Sequence, residues 1–137
     1  PTSKELEKRG IKERVKFVTD LTGDEIAKLY AESTIAVSPS VYEGFGFPAG
    51  EAMSCGIPLV STNGGSLPEV VGGAGIIVDH SNPKALLEGV KFLLDNKEKR
   101  LEYGKKGRER VLDKFTWKRA AKELVDVYKE AIDNANN

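Results

Sequence analysis

The stretch from residue 35 to residue 56 constrains the fold more than any other part of this chain. It opens with an apolar run, Ile35-Ala36-Val37-Ser38-Pro39-Ser40, which reads as a strand. It passes through Glu43-Gly44-Phe45-Gly46-Phe47-Pro48-Ala49-Gly50-Glu51, two carboxylates eight positions apart with three glycines and a proline between them. It closes on Glu51-Ala52-Met53-Ser54-Cys55-Gly56, read as a short helix ended by glycine. Strand, glycine-rich turn and helix start in this order build an anion site. The first helical N–H groups lack intrahelical acceptors, and the helix dipole is positive there.

Other strand candidates are short and apolar: Val15 to Val18, Ile35 to Val37, Leu59 to Ser61 and Gly75 to Val78. Such runs suit parallel strands covered on both faces. Helical patterns separate them. Asp24 to Ser33 places Ile26, Leu29 and Tyr30 on one side, with Thr22 or Asp24 as cap. Pro83 to Leu94, capped by Asn82, is expected to bury Leu86, Leu87, Val90 and Leu94. Glu98 to Leu112 is charged and less periodic. Trp117 to Ile132 is expected to bury Ala121, Leu124, Val125, Tyr128 and Ile132, and the polar tail Asp133 to Asn137 to fray. Alternating β and α elements predict an α/β fold, a Rossmann-like parallel sheet of about four strands with flanking helices.

At 137 residues the chain is one domain, spanning 1–137. Lys plus Arg and Asp plus Glu number 21 each, so no overall field recruits nucleic acid. A single cysteine, Cys55, excludes an internal disulfide, and it reads as a small buried residue. No His/Cys/Asp cluster has metal-ligand spacing, and no cofactor is called for. With no apolar run of about 18 residues and no signal-peptide core, the simplest location is the cytoplasm. Residues 97–122 hold eleven basic and four acidic side chains. Contact with anionic lipid and a solvated helical face are both open readings there, the second favoured.

Two acids beside a ready anion site suit a nucleotide-sugar, with the diphosphate on amides and the sugar hydroxyls on carboxylates. Here the chain resembles a known family. Val41 to Pro48, Glu51 to Val60, Gly64-Gly65-Ser66-Leu67-Pro68-Glu69-Val70-Val71, Ala74 to Val78 and Phe115-Thr116-Trp117 follow, in order, the pattern of retaining glycosyltransferases of the GT-B fold, family 4 above all. The resemblance implies an incomplete GT-B C-terminal domain that binds a nucleoside diphosphate sugar, itself a substrate. It implies Glu51 on the ribose diol, Glu43 at the transferred sugar, and Gly44, Phe45, Gly46, Phe47, Ala49 and Gly50 at the donor, with Phe47, Ala49 and Gly50 able to donate amides. Gly44, Gly46 and Gly50 admit close backbone approach. Phe45 and Phe47 are read as packing residues, Gly64-Gly65 as structural support and His80 as a surface residue.

Family domains of this type begin with two further strands, whose first loop supplies an arginine and a lysine to the diphosphate. Val15 to Val18 would then be the third strand of an order 3-2-1-4-5-6, two places from Ile35 to Val37. Either it slides across to pair there, or an edge stays open for another chain. The expectation is a fragment that lacks the N-terminal part of its parent, is inactive alone, and self-associates as a homodimer if the edge is open. The alternative is a non-catalytic folding or assembly module. An epimerase or phosphorylase on the same fold is a third reading, and no cofactor lysine site supports the latter.

Overall fold

The computed structural model describes residues 3–135. In chain order they form α1 (Ser3–Lys8), α2 (Gly23–Ala31), β1 (Ala36–Ser38), α3 (Phe47–Ser54), β2 (Leu59–Thr62), α4 (Leu67–Val71), β3 (Ile76–Val78), α5 (Pro83–Asp95), α6 (Lys97–Lys114) and α7 (Trp117–Ala135). Short 3-10 turns cover Lys12–Arg14 and Gly72–Ala74.

The sheet has three parallel strands in the order β1-β2-β3. Val37 lies opposite Val60, and Ser61 opposite Ile77. β2 is central, and all four of its residues are buried. Its side chains alternate between the two faces, as the pleat requires. Leu59 joins Ala49, Met53, Leu67, Val71 and Ala74 in the core beneath α3 and α4. Val60 points the other way, toward α5, where a Cβ added at Gly89 would stand 3.0 Å from it. The buried hydroxyls are satisfied: Ser61 donates to the Thr62 carbonyl at 3.1 Å, and Thr62 donates to the Ser40 carbonyl.

Helix ends follow local sequence rules. Thr22, not Asp24, caps α2, through a capping box with Glu25. Those contacts, backbone first, hold the Glu25 carboxyl below its usual value. Asn82 caps α5 by accepting from the Ala85 amide at 3.0 Å.

α6 straps the molecule together. A Cβ at Gly104 would overlap the Gly56 carbonyl, and one at Gly107 would lie 3.3 Å from Met53. The two glycines therefore let α6 lie against α3. From this close position three arginines reach the last carbonyls of three other helices. Arg100 donates to Leu93 and Leu94 of α5, both at 2.6 Å. Arg108 donates to Ser54 of α3. Arg110 donates to Val70 at 2.8 Å and Glu69 at 2.6 Å in α4. Cations at helix C-termini answer orphan carbonyls and the negative dipole end together. Arg100 and Arg110 are half-buried there, while the other basic side chains of the stretch stay exposed. Glu102, held by Lys106 and Lys99, has its carboxyl drawn down to about 2.

Several expectations are corrected. Val15 to Val18 is not a strand: it has no ladder partner, and Phe17 is 64% exposed. It does not slide onto β1, so the sheet has three strands rather than four, and among the described residues the outer edge of β1 is open. Without a neighbouring strand its N–H and C=O groups have no ladder to join, and the Val15 amide turns back to the Lys12 carbonyl at 3.0 Å. On α5 the buried residues are Gly89 and Leu93, with Leu86 and Val90 half-buried; Leu87 and Leu94 are exposed. Small Gly89 is what permits the close approach, so the buried stripe is turned toward it. No residue of α7 is buried, and Ala121, Leu124, Val125, Tyr128 and Ile132 all face outward, because no described element lies against that stripe. Cys55 is half-buried. The tail is helical through Ala135, while Asn136 and Asn137 lie outside the described residues.

Candidate functional site

The loop from Pro39 to Gly46 crosses the C-terminal end of β1, where open α/β sheets bind their ligands. It turns into α3 at Gly46, whose φ of 92° is left-handed and thus suited to glycine. A Cβ there would also stand 2.7 Å from the Leu67 side chain.

The helix begins at Phe47, four residues before the position expected from sequence. Pro48 fits its first turn because the amide it lacks has no intrahelical acceptor. Glu51 is consequently the fifth residue of α3, exposed on its surface, and the first turn carries no acid. Ala49 and Gly50 both donate to the Gly46 carbonyl, at 3.0 and 3.1 Å. Of the three expected amide donors, only Phe47 remains at the helix start without such a bond among the described residues.

Glu43 is half-buried and tightly held. The Ser40 hydroxyl donates to its Oε1 at 2.7 Å. Its main-chain carbonyl accepts from the amide and the hydroxyl of Ser66, each at 3.1 Å. Gly64 and Gly65 lie directly beneath: Cβ atoms there would overlap the carbonyls of Ser40, Val41 and Glu43, and Gly65 has a φ of 60°. These two glycines support the Glu43 loop, as their sequence context suggested. Nothing, by contrast, stands within 4 Å of a Cβ at Gly44 or Gly50. Packing does not demand glycine at either position, and both leave open space beside the loop and helix.

Phe45 stacks obliquely on Phe47, 4.9 Å between centroids, and edge-on to Phe115 at 5.6 Å. Phe45 fits its expected packing role; Phe47 is 67% exposed and packs on one side only. A cavity of about 410 Å³ opens along α3, lined by Phe45, Phe47, Gly50, Glu51, Thr116 and Trp117 among others. Glu51 lines it and Glu43 does not. On the other flank, Tyr30 of α2 donates to the Pro48 carbonyl at 3.1 Å. Burial, then the nearby Glu51 and Cys55 charges, push its phenol up. His80 is exposed, and its amide and Nδ1 both lie 2.9 Å from the Asn63 side-chain oxygen at the ends of β2 and β3.

The supports Ser40, Thr62, Ser66 and Tyr30 were not read from sequence. Only Ser40 carried a signal, its spacing three residues before Glu43, which suits a hydroxyl turning back on its own loop.

A parallel sheet with a glutamate loop running into a helix start at its C-terminal end defines a Rossmann-like α/β domain. This chain belongs to the family described as glycosyl transferases group 1, whose model matches residues 1–110. It is 38% identical over 135 residues to an MMP alpha-(1->4)-mannosyltransferase of Mycolicibacterium hassiacum, covering 96% of this chain and 33% of that protein. It is 36% identical over 125 residues to a D-inositol 3-phosphate glycosyltransferase of Salinispora tropica, covering 90% of this chain and 26% of that protein. Among solved structures it resembles a sucrose-phosphate synthase from Thermosynechococcus elongatus, with a TM-score of 0.86, 29% identity, and coverage of 96% and 34% of the two chains. The chain thus spans about a quarter to a third of the length of these relatives.

Proposed function

We propose that this chain forms the donor-binding part of a retaining glycosyltransferase of the GT-B type, which moves a hexose from a nucleoside diphosphate to a hydroxyl acceptor. The observation that carries the reading is one loop: Glu43 and the free start of α3 share it at the C-terminal end of β1, with open space over Gly44 and Gly50. In this reading Glu51 accepts from the ribose hydroxyls, and the backbone from Gly44 to Phe47 meets the phosphates and sugar. Glu43 steadies the positive charge that develops at the sugar. The bond from the anomeric carbon to the diphosphate oxygen breaks with its electron pair. The acceptor oxygen bonds the same face of that carbon, and its proton passes to the departing diphosphate. Retention follows from same-face attack, and the reaction runs in the cytoplasm. Cations for the diphosphate and a surface for the acceptor belong to the rest of the protein, so the isolated chain does not turn over.

Calorimetry of nucleoside diphosphate binding to the full-length protein tests the assignment. Glu51→Ala weakens binding by about 1–3 kcal/mol, the cost of an unpaired diol, while the unfolding temperature is kept. Unchanged affinity would reduce Glu51 to a solvated helix residue.

A second reading, favoured by the open outer edge of β1, is an assembly module that completes its sheet with another copy. Val37 on β1 itself is 44% exposed, and Val15, Phe17 and Val18 are each at least 40% exposed. Sedimentation of the isolated 137-residue chain across a concentration series then reveals self-association. A stable monomer at every concentration excludes this second reading.

A further inference from the structure

We infer that Ser40 is a positioning residue which fixes the orientation of the Glu43 carboxylate through a relay anchored in the central strand. The inference rests on the proposed role of Glu43 at the donor sugar. Thr62, 2% exposed at the end of β2, donates to the Ser40 carbonyl. Ser40 in turn donates its hydroxyl to Glu43 Oε1 at 2.7 Å. Ser66 holds the Glu43 main chain by two bonds of 3.1 Å. Gly64 and Gly65 close against the carbonyls of residues 40, 41 and 43 from below.

Each part of this arrangement removes one freedom. The Ser66 bonds and the glycine floor fix the Glu43 backbone. They leave the side-chain torsions free, and a glutamate has three. The Ser40 hydroxyl is the described side chain that holds the carboxylate itself, and it engages one oxygen. The second oxygen is left for a ligand. The Ser40 hydroxyl is aimed in turn, because its own carbonyl is tied to a buried threonine on the central, fully buried strand of the sheet. A carboxylate asked to face a developing charge gains most from being held beforehand, since no reorganisation is then needed during the reaction. The serine acts on the reaction only through the glutamate.

The test uses the full-length glycosyltransferase and steady-state kinetics with varied donor. Ser40→Ala lowers kcat by about tenfold and shifts the donor KM by less than about twofold, because the lost bond orients a group that matters in the transition state. Ser40→Cys, close in size but a weak donor, behaves like Ser40→Ala, and Ser40→Thr, which keeps the hydroxyl, restores turnover. The double variant Ser40→Ala/Glu43→Gln is no slower than Glu43→Gln alone, as expected of residues acting as one unit. Multiplying losses in the double variant, or a Ser40→Thr as slow as Ser40→Ala, would overturn the inference and make Ser40 a loop-packing residue. So would wild-type turnover in Ser40→Ala beside a slow Glu43→Gln. Wild-type turnover in Glu43→Gln itself sinks the reading of Glu43, a separate failure.

Discussion

On the proposed role of Glu43 at the donor sugar, Glu43→Gln in the full-length protein lowers turnover by about a hundredfold, while the donor Michaelis constant moves by less than about threefold. The substitution keeps shape and the Ser40 hydrogen bond in reach, since the amide oxygen accepts as the carboxylate does. It removes only charge. A charge that faces a neutral donor sugar contributes little to ground-state binding. It contributes much once the leaving diphosphate begins to depart and positive charge gathers at the anomeric carbon. Initial rates at saturating donor provide the measurement. A variant with wild-type turnover would exclude Glu43 from the chemistry, and a loss seen wholly in the Michaelis constant would make it a ground-state contact.

Gly104→Val destabilises the folded chain by about 3 kcal/mol, at the upper end of ordinary overpacking losses. Valine is a better helix residue than glycine by a few tenths of a kcal/mol, which acts in the opposite direction and is too small to compensate. The obstacle is backbone: a Cβ at this position would overlap the Gly56 carbonyl, which cannot rotate away as a side chain would. α6 must then lift from α3. Lifting it also draws Arg108 and Arg110 from the helix ends they cap. Thermal unfolding should fall by about 10 °C in a chain of this size. A shift of less than about 3 °C would mean that α6 is not held closely at Gly104, and the strap described above would lose its basis.

Local chemistry is what the chain itself made legible. Parallel strands at Ala36–Ser38, Leu59–Thr62 and Ile76–Val78 follow from short apolar runs bounded by turn residues. The caps at Thr22 and Asn82 follow from side chains that compete for backbone amides. The turn from the Glu43 loop into α3 follows from Gly46, whose φ of 92° suits glycine.

Tertiary structure decided the rest. Whether Val15 to Val18 becomes a strand depends on a neighbour to bond with, not on its β-branched residues. Which side of α5 is buried depends on how near Gly89 lets it come to Val60, a distance that periodicity does not contain. The apolar stripe of α7 is as regular as any in the chain, yet it is exposed, because burial needs a second surface. Along α6, eleven similar basic residues in and just beyond the helix look alike in sequence, but it is Arg100, Arg108 and Arg110, with Arg119 from α7, that meet helix ends. Glu43 is held by Ser40 within its own loop and by Ser66 and Gly65 more than twenty residues away. Charges and hydrogen-bond donors are written in the sequence, but their partners are set by which elements the closed core brings within about 3 Å.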